Sequence, residues 1–167
     1  MPESSAEQLR YTLLEETPLG PLCLSGDSAG LRHLQFVSRQ GRANFSGPGV
    51  PGERSDGDFR DAVRQLQLYF ERRLREFSLP LAPRGTDFQR RVWAALQRVS
   101  WGRTASYGEV AAAIGQPSAC RAVGLANSRN PLPIFIPCHR VIGSDRSLTG
   151  YAGGLERKRI LLSLEQE

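Results

Sequence analysis

The sequence holds one lysine, Lys158, one methionine, three cysteines and two histidines. Each scarcity excludes something. No apolar run approaches the roughly 18 residues of a membrane span. The opening residues, Met1 to Arg10, lack the basic-then-apolar layout of a secretory signal. The expected location is therefore the cytoplasm, or the nucleus in a eukaryote, with no membrane contact. Cys23, Cys120 and Cys138 are odd in number and widely spaced, which argues against a disulfide framework. Among Cys23, His33, Cys120, Cys138 and His139 there is no Cys-x-x-Cys or His-x-x-x-His pair, so no structural metal is expected. No P-loop, no dinucleotide glycine pattern and no anion cradle after Cys138 is present.

What is there fits a globular protein. The 167 residues suit one large or two small domains and can bury a core unaided. Apolar residues at 40% and charged residues at 23% exclude a fully disordered chain, a collagen or a coiled coil. With one lysine, 21 of the 22 basic residues are arginine. The net charge of +5 is uneven: residues 84–167 carry +6 and residues 1–83 carry −1. A basic half suits a polyanion partner, although a solvated basic surface or GC-rich coding gives the same composition.

Hydrophobic patterning predicts an α+β protein. Residues 11–16 alternate, a Pro-Leu-Gly-Pro turn follows at 18–21, and apolar runs at 22–24 and 31–37 complete a small antiparallel sheet. Residues 38–57 read as a long mobile loop. Phe59, Val63, Leu66, Phe70 and Leu74 recur at helical spacing over Asp58 to Glu76. Residues 77–85 read as a linker, which divides the chain into domains at 1–83 and 84–167. Beyond it, Thr86 with Gln89 and Ser106 with Glu109 form capping boxes for two helices, and Ser118 can cap a third. The span of about 106–129 has a helix-turn-helix layout; from the pattern alone two plainly packed helices are the simpler reading, and the +6 charge of this half favours the helix-turn-helix. Asn130-Pro131-Leu132-Pro133 ends the helix. A last amphipathic helix spans Leu155 to Glu165, with Ile160, Leu161 and Leu164 inward.

Cys138 is the candidate nucleophile. A reactive thiol needs a base, a cation or a helix start nearby. His139, Arg140 and a helical turn beginning near Pro137 could supply these. The carboxylate that orients His139 could be Glu109, Asp145, Glu156 or Glu165, and spacing does not choose. From Cys-His adjacency alone, a buried inert thiol is the simpler reading.

The residues from Arg121-Ala122-Val123-Gly124 through Asn130-Pro131-Leu132-Pro133-Ile134-Phe135-Ile136-Pro137-Cys138-His139-Arg140-Val141-Ile142 closely resemble the O6-alkylguanine-DNA alkyltransferase family. Phe88, Val92-Trp93, Ser106-Tyr107 and Gly150-Tyr151-Ala152-Gly153-Gly154 extend the match. The resemblance implies an N-terminal ribonuclease-H-like sheet with a helix and a C-terminal domain of winged helix-turn-helix type. It implies binding to double-stranded DNA from the minor groove, with an alkylated guanine flipped out of the stack. Cys138 would take the alkyl group and His139 the thiol proton through water, with Glu165 orienting His139. Tyr107 would protonate or hydrogen-bond guanine N3. Arg121 would fill the gap left by the base. Ala119, Ala122, Gly124 and Asn127 would lie against DNA. Asn130 would brace the active-site turn, Tyr151 would wall the pocket, the carbonyls of Cys138 and Val141 would read the guanine amino group, and the Ala152 amide would donate to O6.

Two departures from the family pattern stand out. Ala152 replaces a serine of some members, and the metal-binding cysteines and histidines of others are missing near residues 26–32. The expected protein is a monomer without metal or cofactor that acts once per molecule, because a thioether has no easy route back to a thiol. No upstream regulatory domain is expected, since the sheet starts by residue 11. The rival readings are a non-catalytic binder of alkylated DNA, a helix-turn-helix transcription regulator and, more distantly, a cysteine hydrolase.

Overall fold

The computed structural model describes residues 8–37, 52–151 and 153–166. They fall into two compact units, Met1–Pro83 and Arg84–Glu167. In the first, β1 (Arg10–Leu14), β2 (Leu22–Asp27) and β3 (Gly30–Phe36) form an antiparallel meander. The central strand β2 is buried almost throughout, as a strand covered on both faces must be. On β1, Thr12 and Leu14 face inward, and the Thr12 hydroxyl donates to Asp56 Oδ1 at 2.7 Å.

The expected 38–57 loop is corrected in part. Glu53–Arg54 form β4, parallel to β1, in a sheet of order β3-β2-β1-β4. Residues 38–51 lie outside the described residues. The first helix is also shorter than its periodicity predicts. A 3-10 turn at Asp56–Phe59 leads into α1 (Arg60–Phe70). The chain then leaves the helix, with Arg72 in the left-handed region at φ 62°, so Leu74 lies outside it. Its buried face is Phe59, Ala62, Leu66 and Tyr69. Gln65 joins them because its amide is paired in both directions with the Ser78 backbone.

That pairing corrects the linker as well. Leu31 N–H donates to Pro80 O at 2.9 Å and Ala82 N–H to Leu31 O at 2.8 Å, so residues 80–82 are stitched to β3. The Pro80 carbonyl runs where a Cβ of Gly30 would stand, and only glycine permits that approach.

The second unit holds α2 (Asp87–Leu96), β5 (Ala105–Ser106), α3 (Tyr107–Ala113), α4 (Cys120–Ser128), β6 (Val141–Ile142) and α5 (Leu155–Leu164). The Thr86–Gln89 capping box is complete. At α3 only the Ser106 half forms, with Ser106 Oγ accepting from Glu109 N–H at 3.1 Å. Gly115, at φ 76°, closes α3: its N–H reaches Ala112 O and the next N–H reaches Ala111 O. Ser118 does not cap α4; Ala119 stands at that position with no side-chain bond. Trp93 Nε1 donates to Ala126 O at 2.9 Å and locks α2 to α4. A two-residue parallel pairing of β5 with β6 joins the start of α3 to the segment after Cys138. No helix among the described residues is long and apolar enough to cross a membrane.

Candidate active site

The proline-rich stretch after α4 is a clamped loop. Asn130 Oδ1 accepts from Leu132 N–H at 2.9 Å, and its amide donates to Ile136 O at 2.8 Å. Two bonds from one buried side chain thereby close residues 130–136 into a ring. Within it Ile134 holds φ 76°, an outlier for a β-branched residue. The ring presents a 3-10 turn, Cys138–Arg140. Pro137 stands just before that turn, and Cys138 begins it.

Cys138, His139 and Arg140 are all buried. His139 Nε2 lies 2.8 Å from Glu165 Oε1, so among the four candidate carboxylates Glu165 is the one paired with the imidazole. Its other nitrogen, Nδ1, has no hydrogen-bond partner among the described residues. Arg140 points away from the thiol. Its Nε donates to Glu165 Oε2 at 2.9 Å, one terminal nitrogen to Glu165 Oε1 at 2.8 Å and the other to Val99 O at 2.5 Å. The guanidinium thus holds Glu165 in a bidentate grip.

These contacts set the protonation states. Burial holds His139 below its ordinary value; the adjacent Glu165 opposes this, while Arg140 and Lys158 add to it. Burial also pushes the Cys138 thiol up to about 11, against the pull of the Asn130 amide, Lys158 and the backbone amides of Cys138 and His139. The resting site therefore holds a neutral thiol beside a neutral imidazole. Neighbouring groups do pull towards the thiolate, and burial outweighs them.

Lys158 was missed as a site residue in the sequence. It is completely buried on α5, with Nζ donating to Val141 O at 2.5 Å and Thr149 O at 2.7 Å. Burial lowers its pKa. Its signals were that it is the sole lysine and that it shares a helix face with Leu161 and Glu165. Val141 O, expected to read guanine, is thus already one acceptor bond committed.

The other expected residues divide by location. Tyr107 is half-buried at the start of α3, with its hydroxyl 3.0 Å from Thr149 Oγ1 and its ring beside Gly124. On α4, Arg121 and Ala122 are exposed and Gly124 is half-buried, as is Ala119 just before the helix. Asn127 differs: it is buried, with its amide 3.5 Å from Cys138 O. Residues 123, 126 and 127 form the inner face of α4, so Asn127 meets the Cys138 turn rather than the outer surface. Tyr151 is half-buried, and Ala152 lies outside the described residues.

Comparison with known proteins adds the following. Residues 9–83 match the model of the 6-O-methylguanine DNA methyltransferase ribonuclease-like domain, and residues 87–167 match that of the DNA binding domain. A methylated-DNA–protein-cysteine methyltransferase of Methanosarcina barkeri is 51% identical over 93% of this chain and 97% of its own length. One from Mycobacterium tuberculosis is 48% identical over 90% of this chain and 89% of its own. The crystal structure of Mycobacterium tuberculosis O6-methylguanine methyltransferase superposes with a TM-score of 0.82 at 46% identity, covering 95% of this chain and 93% of that one. Mycobacterium tuberculosis OGT in complex with DNA gives 0.80 at 47% identity, covering 94% and 92%. On these matches, the chain belongs to the 6-O-methylguanine DNA methyltransferase family.

Proposed function

We propose that this protein repairs DNA by direct reversal, transferring the alkyl group of O6-alkylguanine irreversibly to Cys138. The carrying observation is the buried Cys138 turn with His139 tied to Glu165 at 2.8 Å, in a chain about half identical to methylated-DNA–protein-cysteine methyltransferases. An inert core cysteine has no use for such a neighbour.

The step balances as follows. Cys138 Sγ forms a bond to the alkyl carbon, and that carbon's bond to guanine O6 breaks with its electron pair left on the base. The thiol proton passes by way of water to His139 Nδ1, the nitrogen not taken up by Glu165. Tyr107 donates to guanine N3 and makes the base a better leaving group. A thiol with its pKa raised to about 11 resists stray electrophiles until a substrate is in place.

DNA is engaged by residues 84–167 from the minor groove, with the exposed α4 face outward and Arg121 occupying the gap of the flipped base. Residues 1–83 form a separate supporting domain. Asn130 braces the turn, Tyr151 and Ala152 belong to the pocket, and the carbonyls of Cys138 and Val141 face the guanine amino group. The protein acts as a monomer in the compartment that holds the DNA.

The test is to mix the protein with a duplex carrying O6-methylguanine and follow the lesion by nucleoside chromatography. The expected result is a burst that restores one guanine per protein molecule and then stops. Continued turnover, or binding without loss of lesion, contradicts the proposal.

A further inference from the structure

The second unit carries a polar recess of about 500 Å³ that the proposed chemistry does not use. Its walls include Arg103 and Thr104 before β5, Ser106 at the start of α3, and Ser144 and Arg146 in the turn after β6. Arg103 and Arg146 are exposed, and neither side chain has an ion pair or hydrogen bond among the described residues. Among the other exposed arginines of this unit, Arg90 pairs with Asp87 and Arg159 with Glu156, while Arg98, Arg121 and Arg129 also lack such a partner but do not line the recess.

The turn that displays Arg146 is closed by hydrogen bonds within itself. Gly143 N–H donates to Ser147 O at 3.0 Å, and Arg146 N–H to Gly143 O at 2.8 Å. Asp145 Oδ1 accepts from both the amide and the hydroxyl of Ser147, so this carboxylate is turned into the loop. Arg146 itself stands at φ 67°, a conformation a side chain rarely adopts. Glu109 is the single carboxylate on the wall, which leaves the recess net positive. The same loop ends at Thr149, which meets the Tyr107 hydroxyl. Ser106, on the wall of the recess, directly precedes Tyr107 in the chain.

We infer that this recess seats a backbone phosphate of the bound DNA strand, gripped by Arg103 and Arg146. Arginine's planar fork suits phosphate oxygens, and the Thr104, Ser106 and Ser144 hydroxyls line the same space. The inference rests on the proposed function. It adds a binding site outside α4 that fixes the strand without reading its sequence.

The test uses the full chain and an Arg103→Gln/Arg146→Gln double variant, with Arg159→Gln as a surface-charge control. Binding to an unmodified duplex is titrated between 50 and 200 mM salt. Each phosphate contact contributes about 0.9 to the slope of log affinity against log salt. The double variant is expected to lose about one unit of slope, which over this range narrows its deficit against the parent about 3.5-fold. The control keeps the parent slope. Alkyl transfer from free O6-methylguanine base stays at the parent rate, while transfer from duplex slows. An unchanged slope overturns the inference and leaves the proposed function standing. A free-base rate that falls in step with the duplex rate also overturns it, because the defect then lies in the alkyl-transfer site. A parent protein that takes the alkyl group from neither substrate removes the proposed function, and this inference with it.

Discussion

Arg140 sits two residues from the proposed nucleophile in sequence, yet its guanidinium is bonded to the carboxylate that pairs with His139. Removing one partner of a buried ion pair leaves the other charged and unpaired, at a cost of about 3–5 kcal/mol. Arg140→Met is therefore expected to lower unfolding free energy by about that amount in urea titration; a loss below about 1 kcal/mol, the scale of an exposed pair, contradicts the assignment. His139 gives a pH signature. Its folded value lies below the ordinary value of about 6.5. The unfolded chain then binds more protons than the folded one from about pH 6.5 downward. Its contribution to stability is intact above that pH and erodes as pH falls below it. The urea midpoint of the parent should fall faster below pH 6.5 than that of His139→Gln; parallel curves would contradict it. At this scale the sequence was informative where a motif names residues, as with Cys138 and His139. It was silent on Lys158, because a buried ammonium is recognised by the carbonyls around it. Those come from Val141 and Thr149, on other segments.

Local signals made the elements legible to different degrees. The Thr86–Gln89 box was readable because both halves lie within four residues. Thr86→Ala should cost about 1 kcal/mol in thermal or urea unfolding, and a change within about 0.2 kcal/mol would mean the cap is redundant. The start of α4 was misread because Ser118 is a good cap by type, while the turn from Gly115 places Ala119 at the boundary. The end of α1 was overestimated because Leu74 continues the period. Helix length is decided by the left-handed turn at Arg72 and by the pairing of Gln65 with Ser78. Strand β4 has two residues, so it carries no periodicity to detect; only its parallel pairing with β1 reveals it.

For the whole molecule, the odd cysteine count and the basic half both take on narrower meanings. Cys23 and Cys138 are buried and Cys120 is exposed, and all three are free. Burial alone raises the pKa of Cys23 to about 11, whereas at the more deeply buried Cys138 the Asn130 amide, Lys158 and backbone amides oppose the rise. Adding a methyl group to Cys138 overfills a packed site, at a typical cost of about 1–3 kcal/mol. The alkylated protein should melt several degrees below the unreacted one by scanning calorimetry, and an unchanged or raised melting temperature would contradict a tightly packed site. The account stands or falls on where the alkyl group goes. After reaction with an O6-methylguanine duplex, peptide mass mapping should place one methyl group on the Cys138 peptide and none on those of Cys23 or Cys120. The Cys138→Ala variant should gain none. A methyl group on exposed Cys120, or a Cys138→Ala protein that still accepts one, would contradict it.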